Sequence, residues 1–207
     1  MPAAGAAVAG ISDWDQEIAE WAVRETPVFG SPERAREASD DLRTATHLGM
    51  VATALAVPAE EARWKSTVER LLWEHAAAVA TTSVTRGLKE ATGRERPDGS
   101  DDLSFPSGHS SRAFAYSAMG WRNLRASELP RPVRTGLHAG LITLAAGTAW
   151  ARVEAGVHFP SDVLAGAALG NFIALLVHDA FLGTGDGVAV AVQLDRGGPA
   201  FVVKLHL

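Results

Sequence analysis

Apolar side chains in this chain return every three or four residues over long stretches, and short breaks rich in Pro, Gly and Asp separate those stretches. That period belongs to helices. Trp14, Ile18 and Trp21 recur at helical spacing after Ser12, with Asp15 where a capping box places an acid, so a short amphipathic helix is expected to open the chain. Ser31-Pro32-Glu33 supplies an N-cap, a proline at the first helical position and an acid in the first turn. The helix it starts is expected to run to about Val57, before Pro58. A second long helix follows over about 59–92, and the run from Gly93 to Phe105 has the Gly, Pro and Asp content of a loop. Three more helices are expected at about 107–124, 131–151 and 160–182. The period then falls to two: Val188, Val190 and Val192 alternate, and the β-prone runs 187–194 and 200–207 flank Asp195-Arg-Gly-Gly-Pro199. A terminal β-hairpin is expected there, with an apolar tail packed on the bundle as the alternative. The fold class is therefore all-α, a bundle of about six helices with a short C-terminal hairpin. We expect one domain over 1–207, with 1–30 as N-terminal extension and short helix and 187–207 as the hairpin tail.

Composition supports burial of a sizeable core. The 207 residues are 47% hydrophobic and 21% charged, which excludes disorder as the overall state. A net charge of −5 argues against a chain built to grip nucleic acid and points to a small-molecule or lipid site. No cysteine is present, so disulfides, thiolate metal sites and cysteine nucleophiles are all excluded. Mean hydropathy is +0.04, between soluble and integral membrane chains. The longest stretches without Asp, Glu, Lys or Arg are 44–59, 135–151 and 163–178, of 16, 17 and 16 residues. A membrane span wants about 20 apolar residues, so these are expected to be buried core helices. Met1–Ser12 is uncharged but lacks a basic start and a long apolar run, so no intact signal peptide is read.

Polar chemistry concentrates in three segments at expected helix ends. In the first, Lys89 falls in the last turn of a long helix and Arg96-Pro97 in the loop after it; taken alone, both could be surface bases that compensate the helix dipole. The second is Pro106-Ser107-Gly108-His109. Ser107 suits an N-cap, Gly108 lets a ligand approach the backbone, and the free N–H groups of a helix start would hold an anion. His109, in the first turn, could reach a leaving-group oxygen as general acid, or be incidental to an ordinary capped helix. The third runs from Arg152 through His158 to Asp162. Pro160 suits the first helical turn, which places Asp162 one turn beyond His158, where its carboxylate could accept one imidazole N–H and leave the other nitrogen as nucleophile. A purely structural His–Asp pair has the same spacing. Arg152 brings a planar cationic fork from the preceding helix end.

Together the segments resemble the three-part signature of the type 2 phosphatidic acid phosphatase family, which shares its site with vanadium haloperoxidases. The signature's Lys-x6-Arg-Pro, Pro-Ser-Gly-His and Arg-x5-His-x3-Asp stand here at Lys89–Pro97, Pro106–His109 and Arg152–Asp162, in the expected order. Ten fixed identities at about 5% usage each amount to about 1 in 10¹³ per placement. The resemblance implies that fold and a phosphatase that hydrolyses phosphoric monoesters or diphosphates without a metal. It implies that Lys89, Arg96 and Arg152 bind phosphate oxygens with help from Ser107 and the Gly108 backbone. His158 would take the phosphoryl group, Asp162 orient it, and His109 protonate the leaving oxygen. The family usually has Ser before the third-motif Arg, where this chain has Ala151; tuning rather than loss is expected from that.

No cofactor is implied; vanadate enters only as an inhibitor, or as the bound group in the alternative reading, a haloperoxidase. Length weighs against that alternative, and a non-catalytic phosphate-binding module would not need both histidines. The expected partner is a phosphorylated small molecule or lipid, with no nucleic acid. Peripheral membrane association is considered, and a membrane-associated or extracytoplasmic setting is preferred to a purely cytoplasmic one. His47, His75, His138 and His178 read as packed or surface histidines, and Trp64, Trp73, Trp121 and Trp150 as core or interface anchors. Gly166 and Gly170 form a small-residue spacing that permits close helix packing.

Overall fold

The computed structural model describes residues 2–58, 63–182, 188–195 and 198–205. Six helices run in the order α1 (Pro2–Glu25), α2 (Pro32–Leu55), α3 (Arg63–Thr92), α4 (Gly108–Ala126), α5 (Arg131–Glu154) and α6 (Pro160–Phe181). Two strands follow, β1 (Val188–Asp195) and β2 (Gly198–Leu205), paired antiparallel from Val188 with Leu205 to Asp195 with Gly198. The bundle and the hairpin are those expected from the pattern of the chain. The hairpin tip at 196–197, the segment 59–62 where the second long helix was expected to begin, and the side chains of Ser12 and Trp64 lie outside the described residues.

Local signals set the starts of α2 and α4. Ser31 is extended and its hydroxyl accepts from the Arg34 N–H at 3.2 Å, with Pro32 opening α2 behind it. Ser107 caps α4 by accepting from the Ser110 N–H at 3.5 Å. The first helix departs from expectation. It runs from Pro2 through Ser12, so Asp15 is no capping-box acid but a mid-helix residue, 5% exposed and aimed into the bundle. Ala, a strong helix former, fills the chain ahead of Ser12 and carries the helix past the residue that looked like its start.

The interior is built from small side chains. Met50, Ala77, Ala115, Met119 and Ala174 form one cluster among α2, α3, α4 and α6, and Ala22, Ala149, Val153 and Val163 another beside α1. Thr46, Thr81 and Thr148 are buried among them, each donating to the carbonyl four residues back, so no hydroxyl is left orphaned. Small residues also bring α6 against α4. A Cβ at Gly166 would lie 2.5 Å from the Ser107 carbonyl oxygen, and one at Gly170 would overlap the Ser111 carbonyl outright. The contact is sealed by the Ser110 hydroxyl on the Val163 carbonyl, 2.6 Å, and the Ser107 N–H on the Asp162 carbonyl, 2.9 Å.

The outer surface corrects the expectation that the uncharged stretches are buried. Leu48 and Leu55 on α2, Leu137 and Ile142 on α5, and Leu164, Phe172 and Leu176 on α6 are exposed, Leu164 by 70%. Among the described residues α6 is the one helix long and apolar enough to cross a membrane by length and composition. Trp14, Ile18 and Trp21 line the exposed side of α1. Other aromatics anchor contacts as expected: Trp73 stacks on Phe181 at 3.7 Å between centroids, Trp121 on His138 at 4.1 Å, and Trp150 donates to Glu154 at 2.7 Å. His47 and His75 share a hydrogen bond at 3.2 Å, and His178 is buried.

Gly170→Ala is expected to destabilise the protein by about 1–3 kcal/mol or more, because backbone rather than a flexible side chain occupies the space. Gly140→Ala in α5, where a Cβ meets nothing within 4 Å, should stabilise by about 0.5–1 kcal/mol. Urea denaturation of both variants beside the parent protein checks the pair.

Candidate active site

Four helix ends and the loops beside them meet at one end of the bundle. Helix α3 carries Lys89 in its last turn, and the loop after it carries Arg94 and Arg96. Helix α4 begins at Gly108. Helix α5 ends with Arg152 in its last turn and breaks at Gly156, whose φ of 70° is open to glycine and strained for other residues. The chain reverses there and presents His158 just ahead of Pro160. All the residues expected to form the site are in this region.

His158 is 2% exposed. Its Nδ1 faces Asp162 Oδ2 at 3.6 Å, one helical turn on, as the spacing suggested. The separation exceeds a formed hydrogen bond, and Nδ1 has no other partner. Burial, with Lys89, Arg152 and Arg96 close by, holds the imidazole pKa down to about 4 against the support of Asp162, so the ring is neutral and nucleophilic at physiological pH. Asp162 is fully buried yet charged. Burial opposes ionisation, but the interactions with His158, the Ser104 hydroxyl at 2.5 Å, the Phe159 N–H at 2.8 Å and Arg94 at 2.8 Å keep its pKa below the usual value.

The cations sit around this pair. The Arg152 guanidinium is buried, donates to Ser39 at 3.2 Å and keeps a buried Nε without a partner. Burial and the neighbouring Arg96 lower its pKa to about 10, so it stays charged. Lys89 donates to the carbonyls of Leu103 and Ser104, and burial, then Arg96, brings its pKa down to about 8. Arg96 donates to Asp101 at 2.6 Å and to the Val157 carbonyl at 3.1 Å. A Cβ on Gly108 would lie 3.9 Å from Lys89 Cε, so the bare glycine leaves the backbone of the α4 start open toward that ammonium. The Ser107 hydroxyl is engaged in capping α4. His109 Nε2 is 3.0 Å from Asp40 Oδ1 on α2; burial, then Arg152, lowers its pKa to about 4.

Residues outside the motif positions complete the arrangement. Arg94 lies within the first motif, among its variable positions, and Ser104 and Ser39 carried no signal of their own. Asp40 and Asp15 lie in the N-terminal forty residues that the motifs leave unassigned. Glu154, fully buried, accepts the Val28 and Phe29 N–H groups at 2.9 and 3.0 Å and ties the α1–α2 connection to the end of α5.

A family model described as "PAP2 superfamily" matches residues 70–184, more than half of the chain and all three motifs. The chain belongs to the PAP2 superfamily. Curated PAP2 relatives include a lipid A 1-phosphatase of Rhizobium etli, 36% identical over 43% of this chain and 40% of its own length. They also include a decaprenylphosphoryl-5-phosphoribose phosphatase of Mycobacterium tuberculosis, 32% identical over 60% of this chain and 64% of its own length. The chain thus spans about half the length of the curated relatives it matches. The fold is that of a solved transmembrane PAP2-type phosphatidylglycerolphosphate phosphatase from Bacillus subtilis, with a TM-score of 0.57, 23% identity and coverage of 81% of this chain and 84% of that one.

His158, buried, and His109, half-buried, both with pKa lowered to about 4, are expected to make the PAP2 site sensitive to acid. Between about pH 6.5 and 4 the unfolded chain binds protons on His158 and His109 that the folded protein refuses, so stability is lost as pH falls through that window. Denaturation midpoints measured across the window should fall with pH, and His158→Gln should remove part of the slope. An unchanged slope in that variant would contradict the assignment.

Proposed function

We propose that the protein is a metal-independent phosphohydrolase that releases inorganic phosphate from a lipid-linked phosphomonoester or diphosphate through a phosphohistidine on His158. The observation that carries this reading is the neutral, buried His158 with Asp162 at its Nδ1, set among Lys89, Arg96 and Arg152. With Nδ1 turned to Asp162, the Nε2 lone pair attacks phosphorus and the bond to the leaving oxygen breaks. Three cations and the N–H groups opening α4 take up the charge on the phosphoryl oxygens, the work that metal ions do in other phosphoryl-transfer sites. Among the described residues, no group of three or more His, Asp or Glu side chains could hold a metal ion.

His109 gives its proton to the leaving oxygen. In the free site burial, then Arg152, keeps His109 neutral; the negative charge of an arriving phosphate offsets the Arg152 part and draws a proton onto the ring. Water then attacks phosphorus as His109 takes its proton, the phosphorus–Nε2 bond breaks, and phosphate leaves with His158 regenerated. Two features support a lipid-linked substrate and association with a membrane surface. The curated relatives are named for phosphorylated lipids, and α2, α5, α6 and α1 all expose apolar side chains.

Phosphate release is expected from lipid phosphates presented in detergent, to persist in excess EDTA, and to be inhibited competitively by vanadate. His158→Ala should abolish it for every substrate, while His109→Ala should cost least with a good leaving group such as p-nitrophenolate. Asp162→Asn should lower turnover on the order of 10²-fold or more without loss of fold. A destabilised Asp162→Asn protein with parental turnover would reduce the pair to a structural one, and complete, reversible loss of activity in EDTA would remove the metal-independent mechanism.

A further inference from the structure

Asp15 lies outside all three motifs and outside the part of the chain matched by the family model, yet it is bonded into the middle of the site. It projects from α1 into the bundle, where a carboxylate must find donors. It finds two residues. Oδ2 accepts from Arg94 Nη2 at 2.7 Å and from the Ser161 hydroxyl, and Oδ1 accepts from the Ser161 N–H at 2.7 Å. That last bond satisfies a free donor in the first turn of α6, next to the Asp162 that backs His158.

Arg94 links the two acids. One arm of its guanidinium is on Asp15; the other donates to Asp162 Oδ1 at 2.8 Å and to the Ser161 hydroxyl at 2.7 Å. Its plane lies over the Phe159 ring, 4.2 Å from the centroid. Asp162 Oδ1 is thereby taken, and it is Oδ2, steadied by Ser104 and the Phe159 N–H, that faces His158. Resting on the phosphatase reading above, we propose that Asp15 is a positioning residue: through Arg94 and Ser161 it sets the orientation and the effective charge of Asp162, and so the tautomer of the nucleophilic imidazole. Without Asp15 the guanidinium loses one of its two carboxylate partners and its charge falls on Asp162 alone. The carboxylate then becomes a poorer acceptor for the imidazole N–H, while Lys89, Arg96 and Arg152, the other charges facing His158, stay in place.

The test uses the full chain with Asp15→Asn, and Asp13→Asn on the exposed side of α1 as a charge control. Asp15→Asn is expected to lower kcat on the order of 10-fold with KM unchanged, a size typical of a slightly misplaced reacting group. Asp13→Asn should leave kcat at the parental value. Arg94→Lys, which cannot fork between two carboxylates, should show the same kcat loss, and it carries the test if Asp15→Asn does not fold. Asp15→Asn added to Arg94→Lys should then cost nothing further, because both act through one bridge. Parental kcat in Asp15→Asn, or a multiplicative loss in the double variant, overturns the proposal, whatever happens to Tm. Nitrogen-15 NMR of the His158 ring, assigned with His158→Gln, should show a smaller Nδ1–H fraction in Asp15→Asn. That readout needs no turnover, so a parent protein that releases no phosphate from any substrate tells against the phosphatase reading, and an unchanged tautomer ratio tells against the role of Asp15.

Discussion

Everything at the site depends on how closely α6 lies against α4. Gly166 and Gly170 put bare backbone on the contact side of α6, and the carbonyls of Ser107 and Ser111 fill the space that side chains would take. At that separation the Ser107 N–H reaches the Asp162 carbonyl and the Ser110 hydroxyl reaches that of Val163. The start of the helix that carries His109 is thereby locked to the start of the helix that follows His158. A methyl group between them would push apart the two segments that carry His109 and His158.

Burial then decides the protonation states. His158 and His109 are both neutral in the free site because desolvation and surrounding cations disfavour a further positive charge, whereas Asp162 stays ionised because its bonds outweigh the cost of its burial. The same crowd of cations that suppresses the histidines makes the pocket attractive to an anion. Two polar atoms there, Arg152 Nε and His158 Nδ1, are buried without a hydrogen-bond partner.

Much of the fold could be read along the chain. Helix positions follow from a 3.6-residue period and from caps such as Ser31-Pro32 and Ser107, which act within one turn and therefore leave a local trace. The first helix is longer than its cap signal implies: Ser12 has the residue type of a cap, while the alanines ahead of it propagate helix whether or not a cap follows. The outward apolar faces of α2, α5 and α6 differ from expectation for another reason. Period reveals that a helix has an apolar side but not what that side meets.

Which chemistry is present, and in what order, is written along the chain: three cations, two histidines and an aspartate at fixed spacings near helix ends. The His158–Asp162 pairing is local too, because Pro160 opens α6 and puts Asp162 in its first turn, within reach of the residue just ahead of the helix. Which residue orients which depends on how the helices pack. Arg94 meets Asp15 across 79 positions, His109 meets Asp40 across 69, and Ser104 meets Asp162 across 58. Contacts at such separations are set by the angles and distances at which helices pack. Those depend on the summed fit of many small side chains, and no single residue along the chain records them.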